Sequence, residues 1–311
     1  REMVRFSLSK ADMKVACAES GRAALDVIAR DLRLAGYTGI ITDLSQIDFS
    51  PLESHDTGCG GQGWFSDLSR PVVAYQGHNP FHGDCIPTAN FEAGTDMLVI
   101  RRVSENPVTE SAAIKNRLYL FGSPHTGTAF AAENDGEIPS SVVESKLPSD
   151  AFLLYPLVAH IYHVRPCEDT SKGKPGICDS MDDQVPVLVR ERVGLAHPVA
   201  EPLVAGIEGL EILAGVDHSN PRDYEVNSYS SPGKVANWER VVSIRISVQV
   251  RSFERVFRPP ATLEAFSADT GEKVLDGYIR KTFSQTVFLE NAALRVSTRP
   301  DTLRPGLSEN A

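Results

Sequence analysis

An α+β fold is what this sequence predicts: one amphipathic N-terminal helix packed on an antiparallel β-sheet, with long loop insertions. Three observations predict it. A helical apolar stripe occupies residues 9–35, and β-branched or aromatic runs follow it, one of them alternating strictly for ten residues. The 23 glycines and 20 prolines are spread along the chain, which suits short strands joined by loops better than a helical bundle.

In residues 9–35, Cys17, Ala24, Leu25, Ile28, Leu32 and Ala35 fall on one face, with Arg22, Asp26, Arg30 and Arg33 mostly off it. Gly36 stands where a helix C′ glycine belongs. Such a stripe needs cover, from the sheet or from neighbouring helices, so Cys17, Ala24, Leu25, Ile28 and Leu32 are the candidate interface face. The opening "REMVRFSLSK" lacks a starting methionine and reads as mid-helix, the cut end of a longer helix. No run of about 20 apolar residues is present to span a bilayer.

From Tyr37 to Gly94 the composition turns to Gly, Pro, Asp, Asn and Ser. Cys59 and Cys85 bracket a long irregular part of this insertion, and Cys167 and Cys178 bracket the polar loop "EDTSKGKPGI". Neither packing nor metal binding explains a cysteine at each end of such a loop, whereas a disulfide does. Two bridges imply an oxidising compartment and leave Cys17 unpaired.

Strands are expected at 95–103, 116–122, 152–165, 185–191, 240–252 and 278–289. In 240–252, Val242, Ile244, Ile246, Val248 and Val250 alternate with Ser243, Arg245, Ser247, Gln249 and Arg251, the mark of a strand with one wet face. The segment "EPLVAGIEGLEILAGVD" (201–217) mixes helical spacing at Leu203, Val204, Ile207 and Leu210 with strand spacing from Leu210 to Ile212, and is expected to be one helical turn running into a strand. The organisation predicted is a helix at 1–36, a β-rich head at 37–300 with its insertion at 37–94, and a flexible tail at 301–311.

Catalytic and cofactor signals are weak. Gly58 to Gly63 spells G-x-G-x-x-G, but no strand precedes it and no helix follows, so it reads as a loop. His78, His82, Asp84 and Cys85 cluster in sequence, yet Cys85 is better used in a disulfide. His160 and His163 are three apart in a strand and point to opposite faces. Asp217, Asn220 and Asp223 form a weak calcium candidate without the close alternate ligands or turn glycine of a calcium loop. There is no G-x-S-x-G, H-E-x-x-H or P-loop lysine. No enzyme activity, cofactor or metal is therefore expected, and a net charge of −10 disfavours nucleic acid as a partner.

Five segments, in order, carry a resemblance to a known family. "GRAALDVIARDLRLAGYTG" (21–39), "GTDMLVIRR" (94–102), "AEPLVAGIEGLEILAGVD" (200–217), "NWERVVSIRISVQVRS" (237–252) and "RKTFSQTVFLENAAL" (280–294) resemble the PilW family of type IV pilus minor pilins. Ile40 stands where that family often has a cysteine. The resemblance implies a type IV pilin-like fold whose transmembrane half-helix precedes the sequence. It implies a non-catalytic subunit of a minor-pilin tip complex that primes pilus assembly. Its partners would be other minor pilins, the major pilin, a pilus-tip adhesin, and the inner membrane through the missing helix. Its head would be periplasmic before assembly and extracellular afterwards. Glu201 and Glu208 would lie at a candidate contact surface. The rivals are a J-type pseudopilin of type II secretion and, further off, a periplasmic β-rich hydrolase using His78, His82, His160 or His163, or an adhesin exposing Trp64 and Trp238.

Overall fold

The computed structural model describes residues 10–60, 62–83, 85–143, 151–194, 198–255 and 276–293. The expected tail at 301–311 and the start of the helix before Lys10 lie outside them.

Helix α1, Lys10–Arg33, is built from alanine and other good helix formers, with Arg30 and Arg33 in its last turn where cations suit the helix dipole. It ends slightly before the expected boundary. Gly36 follows at φ 75° and donates its amide to the carbonyl of Arg101, tying the helix exit to the sheet.

The first sheet comprises β1 (Ile47–Asp48), β2 (Val72–Tyr75), β3 (Met97–Val103), β4 (Leu118–Gly122), β5 (Gly127–Ala131), β6 (Leu153–Arg165), β7 (Val187–Val193) and β8 (Val199–Ala205). Its order is β1-β5-β4-β6-β3-β2, with β7 on β6 and β8 outside β7. The thirteen-residue β6 organises it: β4 pairs with residues 153–156, β7 with 159–165, and β3 with 157–162. All pairs are antiparallel except β1–β5. The second sheet is antiparallel, in the order β10 (Ser228–Ser230), β9 (Ile207–Val216), β11 (Val241–Arg251), β12 (Arg280–Phe288).

The segment 201–217 contains no helical turn. It is two strands, β8 and β9, meeting at Gly206, whose φ of +85° suits glycine. The amide of Gly206 donates to the carbonyl of Pro186 and its own carbonyl accepts from Arg251, so the chain leaves one sheet and enters the other at this residue. The helix-like spacing arises because Leu203 and Val204 of β8 are only partly buried, while Ile207, Leu210 and Ile212 of β9 are fully inside.

One core lies between α1, the inner face of the second sheet and one face of the first. Ile28 and Leu32 of α1 meet Ile244, Ile246 and Val248 of β11, Leu98 and Ile100 of β3, and Tyr162 of β6 there. A second core covers the opposite face of the first sheet. In it Trp64, Phe65, Leu68, Phe81 and Ile86 of the 37–94 insertion pack on Val73, Val99 and Ile161. The insertion is therefore a packed layer, and Trp64, only 8% exposed, is part of its core.

Strand β11 alternates as expected from Ile244 onward. Val241, Val242 and Ser243 are all buried, because a bulge against β9 interrupts the alternation there.

Candidate functional site

The five residues expected to form an interface on the helix do not face outward. Cys17, Ala24, Leu25, Ile28 and Leu32 are all below 9% exposed and lie in the protein's own core, under β11 and β12. The spacing identified an apolar stripe, and the sheet covers it. The other side of α1 is open: Lys14, Val15, Glu19, Arg22, Asp26, Arg30 and Arg33 are exposed there. Val15, 56% exposed, is an apolar residue on that charged side.

Cys59 is bonded to Cys85 and Cys167 to Cys178, while Cys17 is free and buried. Asn90, five residues beyond Cys85, holds the second bridged loop: its side chain donates to the carbonyl of Gly176 at 2.8 Å and accepts from the amide of Cys178 at 2.8 Å. The loop after Cys167 is also self-supporting. Asp183 accepts from the amides of Glu168 and Asp169, and Asp182 from those of Lys172, Gly173 and Asp179, so these carboxylates are engaged by backbone.

The calcium candidate is a closed turn. Asp217, fully buried, accepts the amides of Ser219 and Tyr224, and Arg222 lies 3.5 Å from its carboxylate. Burial pushes the Asp217 carboxyl up, but these backbone hydrogen bonds outweigh it and hold the group below its ordinary range. Asp223 is used by Ser219 and Glu225, and Asn220 leads into a cis proline. The residues that would ligate an ion instead fix the turn.

His78 and His82 each point Nδ1 at a nearby carbonyl, of Gln76 and Asn79 respectively. His160 and His163 face opposite sides of β6: His160 reaches Asp31, and His163 lies 3.3 Å from Glu191. No described trio of His, Cys, Asp or Glu has metal-binding geometry. Trp238 sits in a 3-10 turn before β11, partly buried against both cores. Gly58 to Gly63 runs through a β-bridge between Asp56 and Gln62 into the three-residue turn Trp64–Ser66, with no helix after it to hold a phosphate.

A polar cluster that sequence reasoning missed holds the end of α1 to the sheet. Asp31, 4% exposed, accepts from His160 Nδ1 and from the hydroxyl of Tyr162 at 3.0 Å on one oxygen; Arg102 Nε donates to the other at 2.7 Å. Burial alone would raise the Asp31 carboxyl. The hydrogen bond and charge of His160, with Arg102, overcome that and hold it well below the usual carboxylate range. Burial and the Asp31 charge push the Tyr162 phenol up. On the far side of β7, Arg190 and Arg192 both bond Glu201 of β8, so Glu201 fastens a sheet edge and Glu208 binds Gln249 and Arg280. Both expected contact acids thus have internal partners. Asp31 lies in an Arg-Asp-x-Arg string that looks like surface charge, and its partners stand 71 to 131 residues away, so no local signal marks it.

No helix among the described residues is long and apolar enough to cross a membrane. No curated protein matches the sequence. A solved structure similar to it is a type IV-like pilin from Thermus thermophilus, at 10% identity and a TM-score of 0.32, covering 92% of this chain and 100% of that one. At that score a shared fold is not shown. The segments at 200–217 and 237–252 and most of 280–294 fall where a family pattern matches, whereas those at 21–39 and 94–102 fall outside it. Over residues 169–291, which hold β7 to β12 and come to less than half of the chain, the sequence matches the family Type IV Pilus-assembly protein W.

Proposed function

We propose that this chain is the head of a minor pilin, a non-catalytic subunit that takes part in priming type IV pilus assembly within a tip complex. The match of residues 169–291 to the PilW family carries this reading. The matched strands β9, β11 and β12 are also those that cover α1, so family pattern and helix-on-sheet architecture concern the same part of the molecule. In this reading a membrane-spanning half-helix lies upstream of Arg1, and the head stands in the periplasm before it joins the fibre. Other minor pilins and the major pilin meet the charged side of α1. Disulfides suit that compartment.

The test is deletion of the gene with two readouts, surface pili counted by electron microscopy and secreted exoproteins in the medium. Loss of pili with normal secretion, restored by the wild-type gene, supports the proposal. Normal piliation with failed secretion would instead make the chain a J-type pseudopilin. Loss of neither would remove it from both machines.

A further inference from the structure

The strand edges of this protein are not treated alike. Edges that lie open invite strand addition, and proteins ordinarily blunt them with short strands, prolines, bulges or charges. Edge strands β1, β2 and β10 are two, four and three residues long. Edge strand β8 carries Pro202 and a bulge in its pairing with β7. Strand β12 is neither short nor broken by a proline or bulge, and its charges, Arg280 and Lys281, stand only at its first two residues. It is nine residues long, has no proline, and pairs with β11 in unbroken register from Ser243–Phe288 to Arg251–Arg280.

The register also fixes which backbone groups face outward. Leu289 donates to Val242, and Ser252 donates to Ile279, so the odd-numbered residues from 279 to 289 turn their amides and carbonyls toward β11. Those of Arg280, Thr282, Ser284, Thr286 and Phe288 point to the open edge, and no described backbone group pairs with them. The side chains of Thr282, Ser284 and Phe288 are exposed, Phe288 to 60%.

Charge decides what fits. The protein has 41 acidic against 31 basic residues, yet β11 and β12 together contain Arg245, Arg251, Arg280 and Lys281 and no acid. Asp276 and Glu208 engage Arg280, Arg245 stacks on Tyr229, and Arg251 bonds the carbonyl of Gln184 and stacks on Tyr278, whereas no described carboxylate forms an ion pair with Lys281. A second copy of β12 would bring only more positive charge.

We infer that the open edge of β12 receives an extended, acidic segment of a different protein chain, added to the sheet as a fifth strand. Backbone groups of the five outward residues supply the pairing. Lys281, on the edge strand itself, favours aspartate or glutamate in the incoming strand, and the exposed Phe288 ring offers apolar contact near its other end. This inference does not depend on the pilus assignment, since the edge and its charge stand whatever machine the protein serves.

The experiment uses the full-length protein in its own cells, with benzoylphenylalanine placed singly at Thr282, Ser284 or Thr286, and at Ser247 of β11 as a control on the same sheet face. After irradiation, adducts are mapped by mass spectrometry. The expected result is that all three edge positions join one other protein, in one acid-rich segment, at sites that move by two residues as the probe moves by two. Ser247 gives little or none. Ser284→Pro places a ring where an amide points outward and leaves the β11 bonds intact, so it should abolish adducts from position 282 while the purified protein still melts cooperatively. Ser284→Ala should keep them, and Lys281→Glu should lower their yield several-fold. Adducts only within this chain, only with a second copy, or scattered without register would overturn the inference, as would none at all. The mapped register decides even if Ser284→Pro proves unstable.

Discussion

Asp96 behaves toward Ile212 as a strand residue would, although it lies outside any strand. Its amide donates to the carbonyl of Leu210 at 2.8 Å and its carboxylate accepts the amide of Ile212 at 2.8 Å, while its other oxygen takes the amide of Gly77 at 3.1 Å. One side chain thus holds β9 of the second sheet to the β2–β3 end of the first.

Asp96→Ala should therefore cost about 1–3 kcal/mol, since the buried amide of Ile212 and the part-buried amide of Gly77 lose their acceptor. Urea unfolding of the oxidised head would measure it, and a loss below about 0.5 kcal/mol would sink the idea. Burial pushes the Asp96 carboxyl above its ordinary value. The contribution of this group to stability is thus greatest below pH 3.8 and is lost as pH rises through the raised folded value. Asp96→Asn should remove that dependence.

Asp31 carries the opposite sign. Its folded carboxyl titrates well below the unfolded value, so its contribution is complete above pH 3.8 and declines as pH falls beneath it. Asp31→Asn should cost about 1–3 kcal/mol at neutral pH, because Arg102 loses its buried partner and keeps only the exposed Glu105. Its stability should also fall less between pH 5 and pH 3 than that of the parent. Equal acid slopes for the two proteins would refute this.

The disulfides act on the unfolded chain. Closing loops with separations of 26 and 11 residues should be worth about 3.5 and 3 kcal/mol respectively. Replacing Cys167 and Cys178 by serine should also loosen Asn90, whose two bonds meet the same loop, and hydrogen exchange at the Cys178 amide would report it. Unchanged protection there would show that Asn90 holds the loop by itself.

Gly21 faces Phe283 so closely that an added Cβ would sit 2.3 Å from the ring. Gly21→Ala gains about 1 kcal/mol of helix propensity but forces the ring aside, at a cost of roughly 1–3 kcal/mol. A net loss of melting temperature is expected, recovered in the double variant Gly21→Ala, Phe283→Leu. If the single variant is more stable than the parent, the contact is looser than it stands.

Local periodicity made α1 and β11 legible, since Ile28 with Leu32 and Ile244 with Ile246 repeat at the period of their element. The paired cysteines were legible because each pair brackets a loop. What covers the α1 stripe was not, because spacing shows that Leu25 must be buried without naming the strand that buries it. The β8–β9 junction was obscured by Pro202 and Gly206, which break the period where the chain changes sheets. The Asp31 cluster was hidden entirely, as its members are ordinary residues until the fold brings Arg102, His160 and Tyr162 to one point.

The meeting of Gly21 with Phe283 also bears on how the protein is made. Helix α1 is the first described element and β12 the last described strand, so the apolar stripe of α1 cannot be fully covered until β12 has left the ribosome. Contacts this distant in sequence close slowly. Until then Ile28 and Leu32 lack their native cover, and a nascent chain in that state is prone to aggregate. The cell must therefore either deliver this protein quickly to its final compartment or shield its first helix with a chaperone until the last strand arrives.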